Sequence, residues 1–287
     1  MTVPLTLGLA RVVALPVARL VIFQALALNA GSALSPVGNP QNLFLWQRSG
    51  LGFVEFTLAM LPIAGAMLML VLVLALVPIG FGQARLAMPD ATRKLAVRQP
   101  LVLVSLVAYP VFLIAVNAGF ALIGAGLVIG AFALAFRHVL RGVDWPLFQV
   151  FILLFINLGL LGQLPAVAAL ATSAMNWPGG ACAFGAARSQ GMSNVPAAIF
   201  MVPFTEDWRA LAWGVNVGGF GLAIGSLANL IALRLGRQPG IWRQFHLWSL
   251  PMFGASLAVG AVTYLTRSLV GLKSALRSDS QPQATAT

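Results

Sequence analysis

Charge is what this chain has least of. Only 8% of its 287 residues are Asp, Glu, Lys or Arg, and 60% are hydrophobic; a soluble domain carries about 25% charged residues. One soluble core cannot bury that much apolar surface, so the solvent is lipid. Acidic residues are scarcest, six against 17 Lys and Arg, for a net charge of +11. A basic balance raises nucleic acid as a partner, but these basic residues are spread over short loops and form no single face. They fit the positive-inside rule instead. A single cysteine, Cys182, excludes an internal disulfide. With two histidines and no His/Asp set within an apolar span, no metal centre, protease or hydrolase site assembles. The chain is expected to be no enzyme and to need no cofactor.

Polar residues are present where a lipid anchor has no use for them. The stretch Gln190–Leu230 carries Ser193-Asn194, a charged corner at Glu206–Arg209, and an apolar segment broken by Gly218, Gly219, Gly221 and Gly225. Asn216, Ser226 and Asn229 flank those glycines. Asn29–Leu43 (NAGSALSPVGNPQNL) has the same grammar, with Gly31, Ser35, Pro36, Gly38, Asn39 and Asn42. One offset, 216 − 29 = 187, superposes Asn29 on Asn216, Gly31 on Gly218, Gly38 on Gly225, Asn42 on Asn229 and Leu43 on Leu230. Unwound backbone at membrane depth is tolerated only where protein buries it or it lines a watery cavity. Two such breaks in corresponding halves point to a transporter binding site. The competing explanation for any one glycine is close helix packing; two aligned clusters argue against it.

The expected architecture is an all-α polytopic membrane protein, an inverted-repeat transporter with two broken helices and a re-entrant hairpin. Residues 1–98 form the C-terminal part of the first repeat, with a broken helix over 20–47 and a span over 51–80. Residues 99–270 form the second, with spans over 101–162, a hairpin over about 177–200, a broken helix over 209–233 and a span over 245–265. Residues 271–287 are expected as a disordered tail. That makes about seven crossings. Eleven basic residues then fall on one side (Arg11, Arg19, Arg85, Arg93, Lys94, Arg98, Arg137, Arg141, Arg234, Arg237, Arg243) and six on the other. The larger set belongs in the cytoplasm, which places the C-terminus outside. Arg11 and Arg19 are read as bracketing a loop at Pro16, and His138 and His246 as unpaired loop-edge residues.

VPLT at residues 3–6 and VPFT at residues 202–205 precede the two broken helices on opposite faces, as an inverted repeat requires. Roughly 100 residues, 101–201, precede the second element and only two precede the first. An N-terminal portion of about that length is therefore expected to be missing. Two accounts stay open: a gene fragment or misplaced start, and a short chain that completes its site by dimerising.

NAGSALSPVGNPQNLFLW, VDWPLFQVFILLFINLGLL and SNVPAAIFMVPFTEDWRALAWGVNVGGFGLAIGSLANL resemble the ion transporter superfamily. That group includes citrate transporter-like permeases, divalent anion:sodium symporters, arsenite permeases and a type of sodium/proton antiporter. The resemblance runs from Val3 to about Leu265. It implies secondary active transport of an anion, a di- or tricarboxylate such as citrate or succinate, across the inner membrane of a bacterial cell. It also implies a homodimer in the lipid bilayer and an elevator-like motion. In the family's sodium-coupled members Ser-Asn-Thr at the hairpin tips binds sodium and substrate carboxylate; here Ser193-Asn194 match and Val195 replaces the threonine. The family's first hairpin has no counterpart.

Sodium takes hard oxygen ligands, and carbonyls freed near Gly31–Gly38 and Gly218–Gly225 supply them. Ser193, Asn194 and Ser226 are the candidate side-chain ligands for a coupling sodium, with Ser35 beside them. An anionic substrate takes amide donors and helix N-termini, and half-helices are expected to start near Asn39 and Ser226. A bound cation offsets the cost of desolvating the carboxylate, which is the physical logic of symport. The alternatives are arsenite or sodium/proton exchange, and a non-transporting remnant.

Overall fold

Prolines and small polar residues decide where the helices of this chain stop. The computed structural model describes residues 16–76, 99–175 and 179–279. The VPLT element, residues 77–98, Trp177 and the end of the chain after Asp279 lie outside the described residues. All described regular structure is helical, and it divides into two units, Met1–Ala87 with Phe155–Thr287, and Met88–Leu154.

In the first unit, α1 (Val17–Ser32) and α2 (Pro40–Ser49) are two halves of one discontinuous helix. Between them Pro36 lacks an N–H and cannot continue a ladder. Asn39 then restarts the helix: it is the N-cap of α2, its side chain accepts from Asn42 N–H at 2.8 Å, and Pro40 occupies the first turn, where its missing donor costs nothing. The chain turns at left-handed Gly50 into α3 (Phe53–Leu76), whose start is tied by Glu55 accepting from Gly52 N–H. Further along, α8 (Pro165–Met175) follows the end of α7 (Trp145–Gly162) at a bend of 89°. Then α9 (Gly180–Met192) and α10 (Asn194–Met201) fold back on each other at Ser193. At 13 and 8 residues these arms are about 20 and 12 Å long, too short to cross about 30 Å of hydrocarbon. They form a re-entrant hairpin. The second discontinuous helix is α11 (Trp208–Gly218) and α12 (Leu227–Gly236), with a short 3₁₀ turn at Ala223–Gly225 in the break. Asp207 caps α11 by accepting from Ala210 N–H at 2.9 Å. Helix α13 (Ile241–Asp279) closes the unit.

In the second unit α4 (Gln99–Asn117) and α5 (Ala121–Ala135) pack as a pair around the turn at Gly119, followed by α6 (Arg137–Arg141) and the start of α7. Their large apolar side chains face outward, Leu122 at 89% and Leu134 at 92% exposure. Surfaces like that are stable only against lipid.

Three described helices are individually long and apolar enough to cross a membrane, α3, α4 and Ile241–Tyr264 of α13, and a fourth if the bent pair Phe148–Gly162 and Pro165–Met175 is one span. The other three expected crossings are the two discontinuous helices, each built from shorter pieces, and α5, a single helix of 15 residues. Two local expectations are corrected. Arg19 is in no loop: Pro16 is the N-cap of α1, so the helix already includes Arg19, which is 9% exposed. Its guanidinium lies over the rings of Phe23 and Trp248 and donates to the Leu74 carbonyl at 3.4 Å. And residues 271–279 are no disordered tail, because α13 continues through them; nothing between Leu265 and Asp279 breaks a helix by proline.

Candidate functional site

The two discontinuous helices meet break to break. Asn29 Nδ2 donates to Asn229 Oδ1 at 2.7 Å, and Asn216 Nδ2 donates to Asn42 Oδ1 at 2.7 Å. Position 29 corresponds to 216 and 42 to 229, so exchanging the halves turns each bond into the other. Position numbers rise along one break while those of their partners fall, so the two breaks run antiparallel. Local bonds repeat the exchange. Asn29 donates to Ala25 O and Asn216 to Ala212 O, each one turn back. Asn42 donates to Ser32 O and Asn229 to Gly219 O, equivalent positions again. The crossing is dry: Asn29, Asn42, Asn216 and Asn229 are all at most 6% exposed. Buried amides with partners hold a unique arrangement, and without partners each costs about 1–3 kcal/mol.

Asn39 is part of the same brace. While capping α2 it also donates to Asn216 Oδ1 at 2.9 Å, so all of Asn216's bonding capacity is used. These five asparagines therefore hold the breaks in place, and their side-chain amides are committed to protein partners. Ser35 and Pro36 line the turn of the first break, where the Ser35 carbonyl accepts from Asn42 Nδ2 at 3.1 Å and from Gly38 N–H at 3.2 Å. Gly38 and Gly225, equivalent positions, both lie so close to backbone that a Cβ would overlap it, at Ser32 O and Gly218 O respectively. Gly31 and Gly38 are exposed, whereas Gly218, Gly219 and Gly225 are buried.

Three of the residues singled out in the sequence keep polar groups uncommitted. Ser193, at the hairpin tip, has φ 72° and ψ 156°, a region that is nearly glycine's alone and costs about 1–3 kcal/mol for another residue. Asn194 is 5% exposed and its side-chain amide makes no described hydrogen bond. Ser226 is the N-cap of α12 and 3% exposed, but its hydroxyl makes no capping bond. The helix α10 begins at Asn194 and α12 after Ser226, so free backbone amides accompany these side chains.

Three residues outside the sequence expectation belong to the same region. Gln41 is 2% exposed; its Nε2 approaches Asn216 Oδ1 at 3.5 Å and its Oε1 has no partner. Gln190, from the hairpin arm α9, donates to Gly218 O at 2.9 Å and accepts from Leu222 N–H at 2.6 Å. His246, expected unpaired, is the third: it accepts from Ala223 N–H at 3.2 Å, and its other nitrogen lies 2.7 Å from Trp242 O. The backbone N–H of Ala223 is a fixed donor, which leaves the proton on Nδ1 to serve Trp242. Gln41 stands inside the NPQN motif and so was open to suspicion; the other two have no local signal. Among the described residues no three His, Cys, Asp or Glu side chains come together as a metal centre. Arg188, five residues before the tip, has its guanidinium 4.7 Å from the Phe184 ring centre.

A model of the family described as citrate transporter matches residues 1–207. The chain is 44% identical over 263 residues to the inner membrane protein YbiR of Escherichia coli K12, covering 91% of this chain and 70% of that protein. It is 30% identical over 291 residues to the uncharacterized transporter Rv2684 of Mycobacterium tuberculosis, covering 86% of this chain and 67% of the relative. With the uncharacterized transporter MJ0456 of Methanocaldococcus jannaschii it shares 29% over 238 residues, 81% of this chain and 63% of that one. No solved structure matches.

Proposed function

The chain belongs to the citrate transporter family, and from that premise we propose that it carries a small carboxylate anion, a di- or tricarboxylate, by secondary active transport coupled to sodium or protons. That it is an integral membrane transporter follows from the family and the apolar helices. The observation that carries the finer reading is the antiparallel crossing of two broken helices, locked by Asn29–Asn229 and Asn42–Asn216. It supports this reading because a half-helix begins at each break, after Asn39 and after Ser226, the arrangement used for anions and their coupling ions. In this reading Ser193, Asn194 and Ser226 meet the coupling ion and the substrate carboxylate, and the asparagine brace holds the breaks around Gly31–Gly38 and Gly218–Gly225 in position beside them. Gln41 Oε1 is a further acceptor beside that region. The protein works as a homodimer in the bilayer, with an elevator-like displacement of the site.

The test is uptake of labelled citrate and succinate into proteoliposomes with and without an inward sodium or proton gradient. Gradient-driven accumulation is expected. Sodium-driven proton flux with no carboxylate uptake would replace this reading with exchange.

A further inference from the structure

The two breaks are opened by different means. The first contains Pro36 and Pro40, which forbid a continuous ladder. The second contains no proline anywhere from Trp208 to Gly236. Its glycines only weaken a helix, by roughly 1 kcal/mol each, and a mostly apolar segment in lipid is driven to satisfy its backbone by winding. Something else has to hold it open.

In an uninterrupted helix Leu222 N–H would donate to Gly218 O and Ala223 N–H to Gly219 O. Both rungs are replaced by side chains. The Gln190 amide fills the first at both ends, its Nε2 donating to Gly218 O and its Oε1 accepting from Leu222 N–H. At the second, Asn229 Nδ2 donates to Gly219 O at 2.8 Å and His246 Nε2 accepts from Ala223 N–H. Ser249 of α13 then donates to Gly221 O at 2.8 Å. Space for the glutamine is built in: a Cβ on Gly221 would overlap Gln190 Oε1. The offset makes the contrast specific, because Ala223 corresponds to Pro36, which has no N–H to satisfy.

We propose that Gln190 is a positioning residue for the transport site: its amide is wedged into the helical ladder in place of one peptide rung and keeps the second break open. His246 serves the next rung. Removing the wedge lets Gly218–Leu222 wind up, which withdraws the backbone around Gly225 and Ser226 from the site. The wedge is a matter of local structure; only its consequence for uptake rests on the carboxylate reading.

Hydrogen–deuterium exchange of residues 214–230, in the full chain in nanodiscs, tests it. Gln190→Met keeps the shape of the side chain and removes both bonds. The expected result is slower exchange across 219–225, as the segment winds, with carboxylate uptake reduced at least tenfold. Unchanged or faster exchange there would overturn the wedge, since the break would then persist without it. If Gln190→Met does not yield a monodisperse protein, Gly221→Ala displaces the amide from the other side and carries the same two outcomes. Should the unaltered chain move no carboxylate at all, the transport reading fails while the exchange result still decides the wedge.

Discussion

The first break lies open and the second lies covered, although their sequences superpose at one offset. Gly31 and Gly38 are exposed; Gly218 and Gly225 are buried under α9 and α13. The covered break replaces two lost rungs with side chains, Gln190 from α9 and His246 from α13 together with Asn229 from its own second half, and adds Ser249 of α13 at Gly221 O. The open break loses a donor through Pro36 and recovers its carbonyls from within, chiefly through Asn42, which donates towards Ser32, Ala33 and Ser35. One half thus specifies an interruption in the covalent chain, and the other specifies it by tertiary contact. A change confined to the second half's surroundings therefore reaches the site, whereas the first break tolerates more.

The largest effect is expected where the two breaks share a residue. Asn216→Leu leaves Asn42 Oδ1 without a partner in a buried crossing, takes from Gln41 Nε2 its contact with Asn216 Oδ1, and leaves Asn39 Nδ2 with Ser32 Oγ alone. At about 1–3 kcal/mol for each orphaned group, we expect a loss of about 3 kcal/mol, a lower Tm and no measurable uptake. Normal uptake in that variant would show that the crossing does not organise the site. Next comes Asn194→Ala, on the covered side only. Because this amide makes no described protein bond, uptake is expected to fall at least tenfold with Tm unchanged; a fall in Tm instead would assign the residue to the fold. Smaller again is Ser193→Gly, which relieves the strained tip and is expected to raise stability by about 1 kcal/mol while weakening sodium dependence. Thermal unfolding and sodium titration of uptake separate the two. The smallest effect tests the comparison itself by writing the first break's solution into the second. Leu222 has φ −66° and ψ 154°, a conformation suited to a residue before proline. Ala223→Pro alone leaves His246 facing a ring where it had a donor, and is expected to destabilise. With His246→Ala added, stability should return to within about 1 kcal/mol of the unaltered protein, the size of one hydrogen bond. Failure of the second change to rescue the first would show that Pro36 and Ala223 are not interchangeable solutions.

Much of this was legible in the sequence because breaks are written locally. SPVGNP sets the ends of α1 and α2 within a few residues, and Ser193 marks the hairpin turn. Span α7 begins and ends where a Trp and a Gly place it. Asn29, Asn42, Asn216 and Asn229 stood out as a repeat, but their bonding to one another did not, since an asparagine reads alike whether it binds a solute or another asparagine. Arg19 was misplaced because a proline followed by a basic residue reads as a loop, when a proline is equally at home just before a helix. The end of α13 was missed because Arg267, Lys273 and Arg277 look like a solvated tail, yet such residues also suit a helix leaving the membrane. Gln190 and His246 reach across 28 and 23 residues to the backbone they serve, and no periodicity reports a contact of that kind.

The replacement of peptide rungs by side chains from α9, α12 and α13 also limits how the molecule can move. Hydrogen bonds of 2.6 to 3.2 Å tolerate little sliding. Hairpin, second broken helix and final helix are in this sense stitched into one block, so displacing any one of them is expected to carry the other two along, with slippage falling at the block's outer boundary.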